Sequence, residues 1–230
     1  MNYIILLSLA LISMFGSMSV PVKKNLIEHP KKIYETPTKK DTLHLFDGKN
    51  MDNFIFVMDK LNPDKKDKYE IKNGVVHLYG IQHGYFRTKE IFSNYELHAE
   101  WRWPEENEKA NGGILVHTQL PDSVWPECIQ VQLKEGRAGD FIAMNGAELK
   151  ETNGKPKNTA PMIVSSSEKK EGEWNSCDVI CTKSSILVYI NQRMQNSGSE
   201  SNFQKGFIGF QMEGKPIEFR NIYVIKLDNK

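Results

Sequence analysis

Residues 95–103 alternate strictly: Tyr95, Leu97, Ala99, Trp101 and Trp103 are interleaved with Glu96, His98, Glu100 and Arg102. An extended strand sends successive side chains to opposite faces, so this segment predicts a strand with one face in a core and the other carrying a row of ionisable groups. Similar short segments recur at residues 69–80, 84–88, 114–117, 129–133, 186–190, 207–212 and 217–225. No stretch keeps a 3.6-residue apolar period over three turns. Many short strands with little helix predict an all-β jelly-roll sandwich of two antiparallel sheets. The Asn73-Gly74 pair predicts a tight hairpin, because both residues tolerate positive φ, and a second turn is expected at Asn191.

The first 19 residues combine an apolar run too short to span a bilayer with a Ser17-Met18-Ser19 cleavage pattern, which predicts a secretory signal. An exported protein, periplasmic or extracellular, with no stable membrane insertion after cleavage, is the expectation. Residues 20–41, lysine-rich and interrupted by Pro21, Pro30 and Pro37, read as a linker or extended arm, leaving 42–230 as one sandwich domain. Thirty Lys and Arg against 29 Asp and Glu leave no net field to draw the chain onto nucleic acid, which is not expected as a partner. The three cysteines, Cys128, Cys177 and Cys181, allow at most one internal disulfide, and small buried thiols are the simpler expectation.

Polar residues recur on one face of several of these strands. Glu100 and Arg102 lie on the ionisable face of 95–103, His117 closes the segment 114–117, and Gln130 and Gln132 share a face opposite Ile129, Val131 and Leu133. If the strands are neighbours, these side chains line one groove whose amides, carboxylate, imidazole and guanidinium match the paired donor and acceptor character of sugar hydroxyls. Trp125, Tyr85 and Phe86 stand in turn-like contexts suited to stacking on a sugar, whereas Trp101, Trp103 and Trp174 read as core. A divalent metal ion stays open as a cofactor, with His98 and His117 joining a carboxylate around it. A carbohydrate substrate or ligand is therefore the expected partner, and a non-catalytic carbohydrate-binding module is the alternative to an enzyme.

The order of segments from residue 43 to about 227 resembles the 3-keto-disaccharide hydrolase domain family. The resemblance is carried by residues 45–54 (LFDGKNMDNF), 84–89 (GYFRTK), 95–102, 111–114 (NGGI), 131–133 (VQL), 173–175 (EWN), 190–191, 206–211 (GFIGFQ) and 216–222 (PIEFRNI). It implies a concanavalin A-like lectin or glucanase fold and cleavage of a glycoside oxidised at carbon 3: the ketone acidifies the carbon 2 proton, a base removes it, and the anomeric oxygen leaves by elimination. On this resemblance Glu100 or His117 is the base, Arg102 or a bound metal assists the enolate, and Gln130, Gln132, Gln211 and Arg220 hold the sugar. Two positions depart from the family's pattern. Gln130 stands where a carboxylate is frequent, and Glu213 is the one carboxylate in the turn after Gln211.

Overall fold

The computed structural model describes residues 42–59, 69–104 and 110–227, so the signal and linker expectations for 1–41 lie outside the described residues. The strands, in chain order, are β1 (Thr42–His44), β2 (Phe54–Met58), β3 (Tyr69–Lys72), β4 (Val75–Leu78) and β5 (His83–Thr88). They continue with β6 (Tyr95–Arg102), β7 (Gly112–Thr118), β8 (Cys128–Gln132), β9 (Phe141–Met144) and β10 (Thr159–Ala160). The last are β11 (Asn175–Thr182), β12 (Ser185–Ile190), β13 (Arg193–Gly198), β14 (Phe207–Glu213) and β15 (Ile217–Lys226). The only helix among the described residues is two 3-10 turns.

These strands form two antiparallel sheets. The first runs β13-β12-β11-β6-β15-β4-β3, with β1 also pairing β15, and the second runs β10-β9-β8-β7-β14-β5-β2. Each expected tight turn forms: Asn73 (φ 53) and Gly74 (φ 75) join β3 to β4, and Asn191 (φ 49) and Gln192 (φ 66) join β12 to β13. No helix among the described residues is long and apolar enough to cross a membrane.

The alternation of β6 sets the core. Tyr95, Leu97, Ala99 and Trp101 are fully buried between the sheets, where they meet Ile114 and Val116 of β7, Ile129 and Val131 of β8, and Ile208 and Phe210 of β14. Each large apolar side chain removed from water there contributes about 1.5–3 kcal/mol. Phe86, expected as a sugar platform, belongs to this core and stacks on Phe210 at 4.9 Å. Cys177 and Cys181 face the core and Cys128 faces away from it; all three are free thiols.

Two β-bulges re-aim side chains. In β15, Arg220 opposes Glu100 and Tyr223 opposes His98, so β15 carries one extra residue there. In β7, Leu115 opposes Gly209 while Thr118 opposes Phe207, which inserts an extra residue at Val116-His117 and leaves His117 at φ 53. Gly206 lets the strands approach at this bulge, since a Cβ there would stand 2.4 Å from the His117 carbonyl carbon.

Candidate functional site

The expected groove of Glu100, Arg102, His117, Gln130 and Gln132 does not form, because these residues occupy three separate places. Glu100 and Arg102 are on the outer face of the first sheet. Gln130 and Gln132 are on the outer face of the second, across the whole core. His117 is 0% exposed and turned inward by its bulge, its ring 6.2 Å from that of Tyr95. Burial pushes the His117 pKa down to about 4; the Phe203 backbone lies close enough to oppose this slightly. Neither ring nitrogen makes a hydrogen bond of good geometry among the described residues. His98 and His117 lie on opposite faces of the first sheet's β6 layer, so they cannot share a metal ion. Among the described residues no group of three or more His, Cys, Asp or Glu is placed to hold one.

The outer face of the first sheet is a closed electrostatic network. The β15 bulge brings both Arg220 and Asn221 onto Glu100, at 2.6 and 2.8 Å. Burial alone would raise the Glu100 pKa, but the hydrogen bonds from Asn221 and Arg220, together with the Arg220 charge, outweigh it and hold the carboxyl below its ordinary value. Arg102 pairs with Glu218, which also meets His77 Nδ1 at 2.7 Å. The Arg102 and Arg220 guanidiniums lie 4.6 and 4.0 Å from the Trp174 ring, so this indole is an outer-face residue and not core. His98 bonds Asp178 at 2.8 Å and stacks on Tyr223 at 4.7 Å. A carboxylate held by two donors and kept below its ordinary pKa is a weak proton acceptor, which argues against Glu100 as the base. Glu100→Gln is expected to leave turnover unchanged while lowering stability by about 1 kcal/mol, checked by urea unfolding beside an activity assay.

The outer face of the second sheet has a different chemistry. Register places Gln132, Gly113, Gln211 and Tyr85 in one row across β8, β7, β14 and β5, with Gln130 and Leu115 in the next. The amides are recessed, at 4%, 8% and 2% exposure for Gln130, Gln132 and Gln211. Gly113 makes room for them, because a Cβ at that position would stand 2.6 Å from Gln130 Nε2. Backbone N–H groups can only donate. The Leu133 and Lys134 N–H groups, at 3.1 and 3.2 Å, therefore fix the oxygen of Gln132 toward them. Gln130 Nε2 then donates to Gln132 Oε1 at 3.2 Å and to Gln211 Oε1 at 3.1 Å. Gln132 and Gln211 are thus engaged through their oxygens, and neither Nε2 donates to another described residue, which leaves two fixed N–H donors for a ligand oxygen.

Around this floor stands a rim with acid and base character. Glu213 ends β14 directly opposite His83 of β5, and Asn111 Nδ2 donates to Glu213 Oε2 at 2.6 Å. The connection from β7 to β8 folds over the neighbouring part of the face, clamped by Arg87 to both carboxylate oxygens of Asp122 at 2.7 Å. It buries Tyr85, whose expected role as a sugar platform is thereby removed, and it holds Trp125 39% exposed with its ring 5.9 Å from His83. His83 was not singled out from the sequence. Its signal was present as the alternation His83, Tyr85, Arg87, the polar counterpart of the core-facing Gly84 and Phe86.

Comparison with known proteins agrees with this architecture. The family model described as a 3-keto-alpha-glucoside-1,2-lyase-like domain matches residues 41–225. Among solved structures, a Parabacteroides distasonis protein described as a glycosyl hydrolase superposes with a TM-score of 0.60 at 18% identity, covering 86% of this chain and 99% of its own. A second from the same organism gives 0.59 at 22% identity, covering 81% and 99%. A carbohydrate-binding module of Bacillus subtilis gives 0.56 at 9% identity, covering 76% and 96%. At these identities the likeness is one of fold: the jelly-roll sandwich is shared by hydrolase-like and sugar-binding domains. No curated protein sequence matches the chain at a significant level.

Proposed function

This chain belongs to the 3-keto-alpha-glucoside-1,2-lyase-like family, and from that premise we propose that it cleaves 3-keto-glycosides by elimination on the outer face of its second sheet. The observation that carries the proposal is the pair of unpartnered Nε2 donors of Gln132 and Gln211 lying in one row beside Glu213 and His83. A ketone at carbon 3 of the sugar accepts hydrogen bonds from these two donors, which strengthen as negative charge develops on that oxygen. Glu213 takes the proton from carbon 2, and the enolate forms. The electron pair then returns to make the carbon 1 to carbon 2 double bond as the anomeric oxygen departs, and that oxygen takes a proton from His83 in its protonated form. The products are an unsaturated 3-keto sugar and the free alcohol; water can add to the former afterwards. No step draws on Glu100, Arg102, Arg220 or His117. Export, supported by the apolar leader in residues 1–19, would place this activity outside the cytoplasm.

Trp125 supplies an apolar face for the second sugar at the rim. Trp125→Ala is expected to weaken saccharide binding about tenfold without altering the fold, read by calorimetric titration and circular dichroism. The proposal itself is tested by incubating the protein with a 3-keto disaccharide and with its unoxidised parent. Release of free sugar from the keto compound alone is the expected result. Binding of both compounds with release from neither would instead make the chain a carbohydrate-binding module, the reading that the Trp125 rim and the amide floor would equally serve.

A further inference from the structure

A second cleft, of about 470 Å3, opens at the opposite end of the sandwich, where Asn94, Gln119, Lys183, Asn202, Phe203 and Lys205 line it. Its residues come from four connections: the approach to β6, the exit of β7, the β11–β12 turn and the β13–β14 loop. Along β14 it lies at the Phe207 end, whereas Glu213 marks the other end, a separation of about 20 Å by strand rise. The two sites are therefore independent.

The lining is mostly polar, and three of its amide side chains are already fixed. Gln119 Nε2 donates to the His117 carbonyl at 2.7 Å and to the Lys205 carbonyl at 2.8 Å, which ties β7 to the β13–β14 loop and leaves the amide oxygen as an acceptor. Asn94 Oδ1 accepts from the Lys183 N–H at 2.7 Å, pinning the β11–β12 turn. Asn202 is held on both sides, accepting from the Glu148 N–H at 2.9 Å and donating to the Gly146 carbonyl at 3.1 Å. Loops tied down in this way lose little further entropy when a ligand binds. Phe203, partly buried against the core, supplies one apolar surface.

Charge gives the cleft its selectivity. Lys183 and Lys205 both line it, and among the described residues neither has an ion-pair partner and no carboxylate lines the cleft. On the outer face of the first sheet, by contrast, each arginine is matched by a glutamate. Two uncompensated ammonium groups beside fixed amides and one phenyl face, in a volume that admits a sugar ring, favour a hydroxyl-rich ligand bearing a negative charge. We propose that this end cleft is a second saccharide site, specific for a sugar carrying a carboxylate or a sulfate.

The test is calorimetric titration of the full chain and of the Lys183→Gln/Lys205→Gln variant with four ligands: a glucuronate-terminated disaccharide, a sulfated disaccharide, their neutral parent and inorganic sulfate. Both lysines are exposed, so the variant is expected to fold normally. The parent protein is expected to bind one or both acidic sugars more tightly than the neutral one, with affinity falling as salt is raised. The variant is expected to lose about tenfold for the acidic sugar and nothing for the neutral one. A preference between the two acidic sugars identifies which anion the cleft takes. Equal affinity of both proteins for the acidic sugars, or sulfate alone binding as tightly as they do, overturns the proposal.

Discussion

Glu213→Gln is expected to lower kcat on a 3-keto glycoside by about a hundredfold to ten-thousandfold, the usual contribution of a positioned general base, while KM changes little. The substitution is close to isosteric and keeps an oxygen that can accept from Asn111 Nδ2, so the rim geometry at 2.6 Å need not be disturbed. What disappears is the basic oxygen. The amide floor of Gln130, Gln132 and Gln211 is untouched, so sugar should still bind. A Glu213→Gln protein that turns over at the parent rate would remove Glu213 from the chemistry and leave His83 as the group to test. Equal losses in binding and turnover would assign Glu213 to holding the sugar. The same assay applied to Glu100→Gln supplies the contrast, because two carboxylates that read alike in sequence then give opposite results from opposite faces of the sandwich.

That contrast also marks what periodicity conveys and what it leaves out. Strict alternation in residues 95–103 correctly separated the core-facing Tyr95, Leu97, Ala99 and Trp101 from the outward Glu96, His98, Glu100 and Arg102. The Gln130 and Gln132 face was equally legible, as were the turns at Asn73-Gly74 and Asn191. Alternation reports which face of its own sheet a side chain takes, but not which sheet the strand joins. β6 is central in the first sheet and β8 lies in the second, so two outward faces that look continuous in sequence point in opposite directions. His117 failed for a second reason. Counting by twos from Gly113 and Leu115 places it with the glutamines, but the bulge at Val116-His117 adds one residue and inverts the count. Nothing local forecasts that bulge, because histidine at positive φ is set there by the close approach of Gly206, just before β14, a contact nearly 90 residues away in the chain. Trp174 was misread for the converse reason: a large aromatic ring reads as core, yet two stacked guanidiniums cover it on the outside.

The inward turn of His117 carries the other large effect, a tilt in the pH dependence of stability. Burial holds its pKa at about 4 in the folded chain, against 6.5 as the ordinary value. Between those values the unfolded chain binds a proton at this position and the folded chain does not, so stability rises with pH across the window and is lost as pH falls toward 4. The shift corresponds to about 3 kcal/mol. Glu168 acts in the opposite sense. Burial first, and the Glu135 charge in addition, raise its pKa to about 7 against hydrogen bonds from the Ala138 and Gly136 backbone and from Ser166. Between its ordinary value of 4.5 and 7 the folded chain holds the proton that the unfolded chain has released, so stability falls as pH rises. Where the windows overlap, the two slopes largely cancel, and the parent protein should show an almost flat profile. His117→Asn removes one of them while keeping a residue that tolerates positive φ. Whatever the variant loses through imperfect packing is independent of pH. Urea unfolding at a series of pH values should therefore show a His117→Asn protein that gains stability, relative to the parent, by about 3 kcal/mol as pH is lowered from 6.5 to 4. Parallel profiles for the two proteins would mean that His117 takes up its proton in the folded state as readily as in the unfolded one, and that the pocket beside Tyr95 admits water.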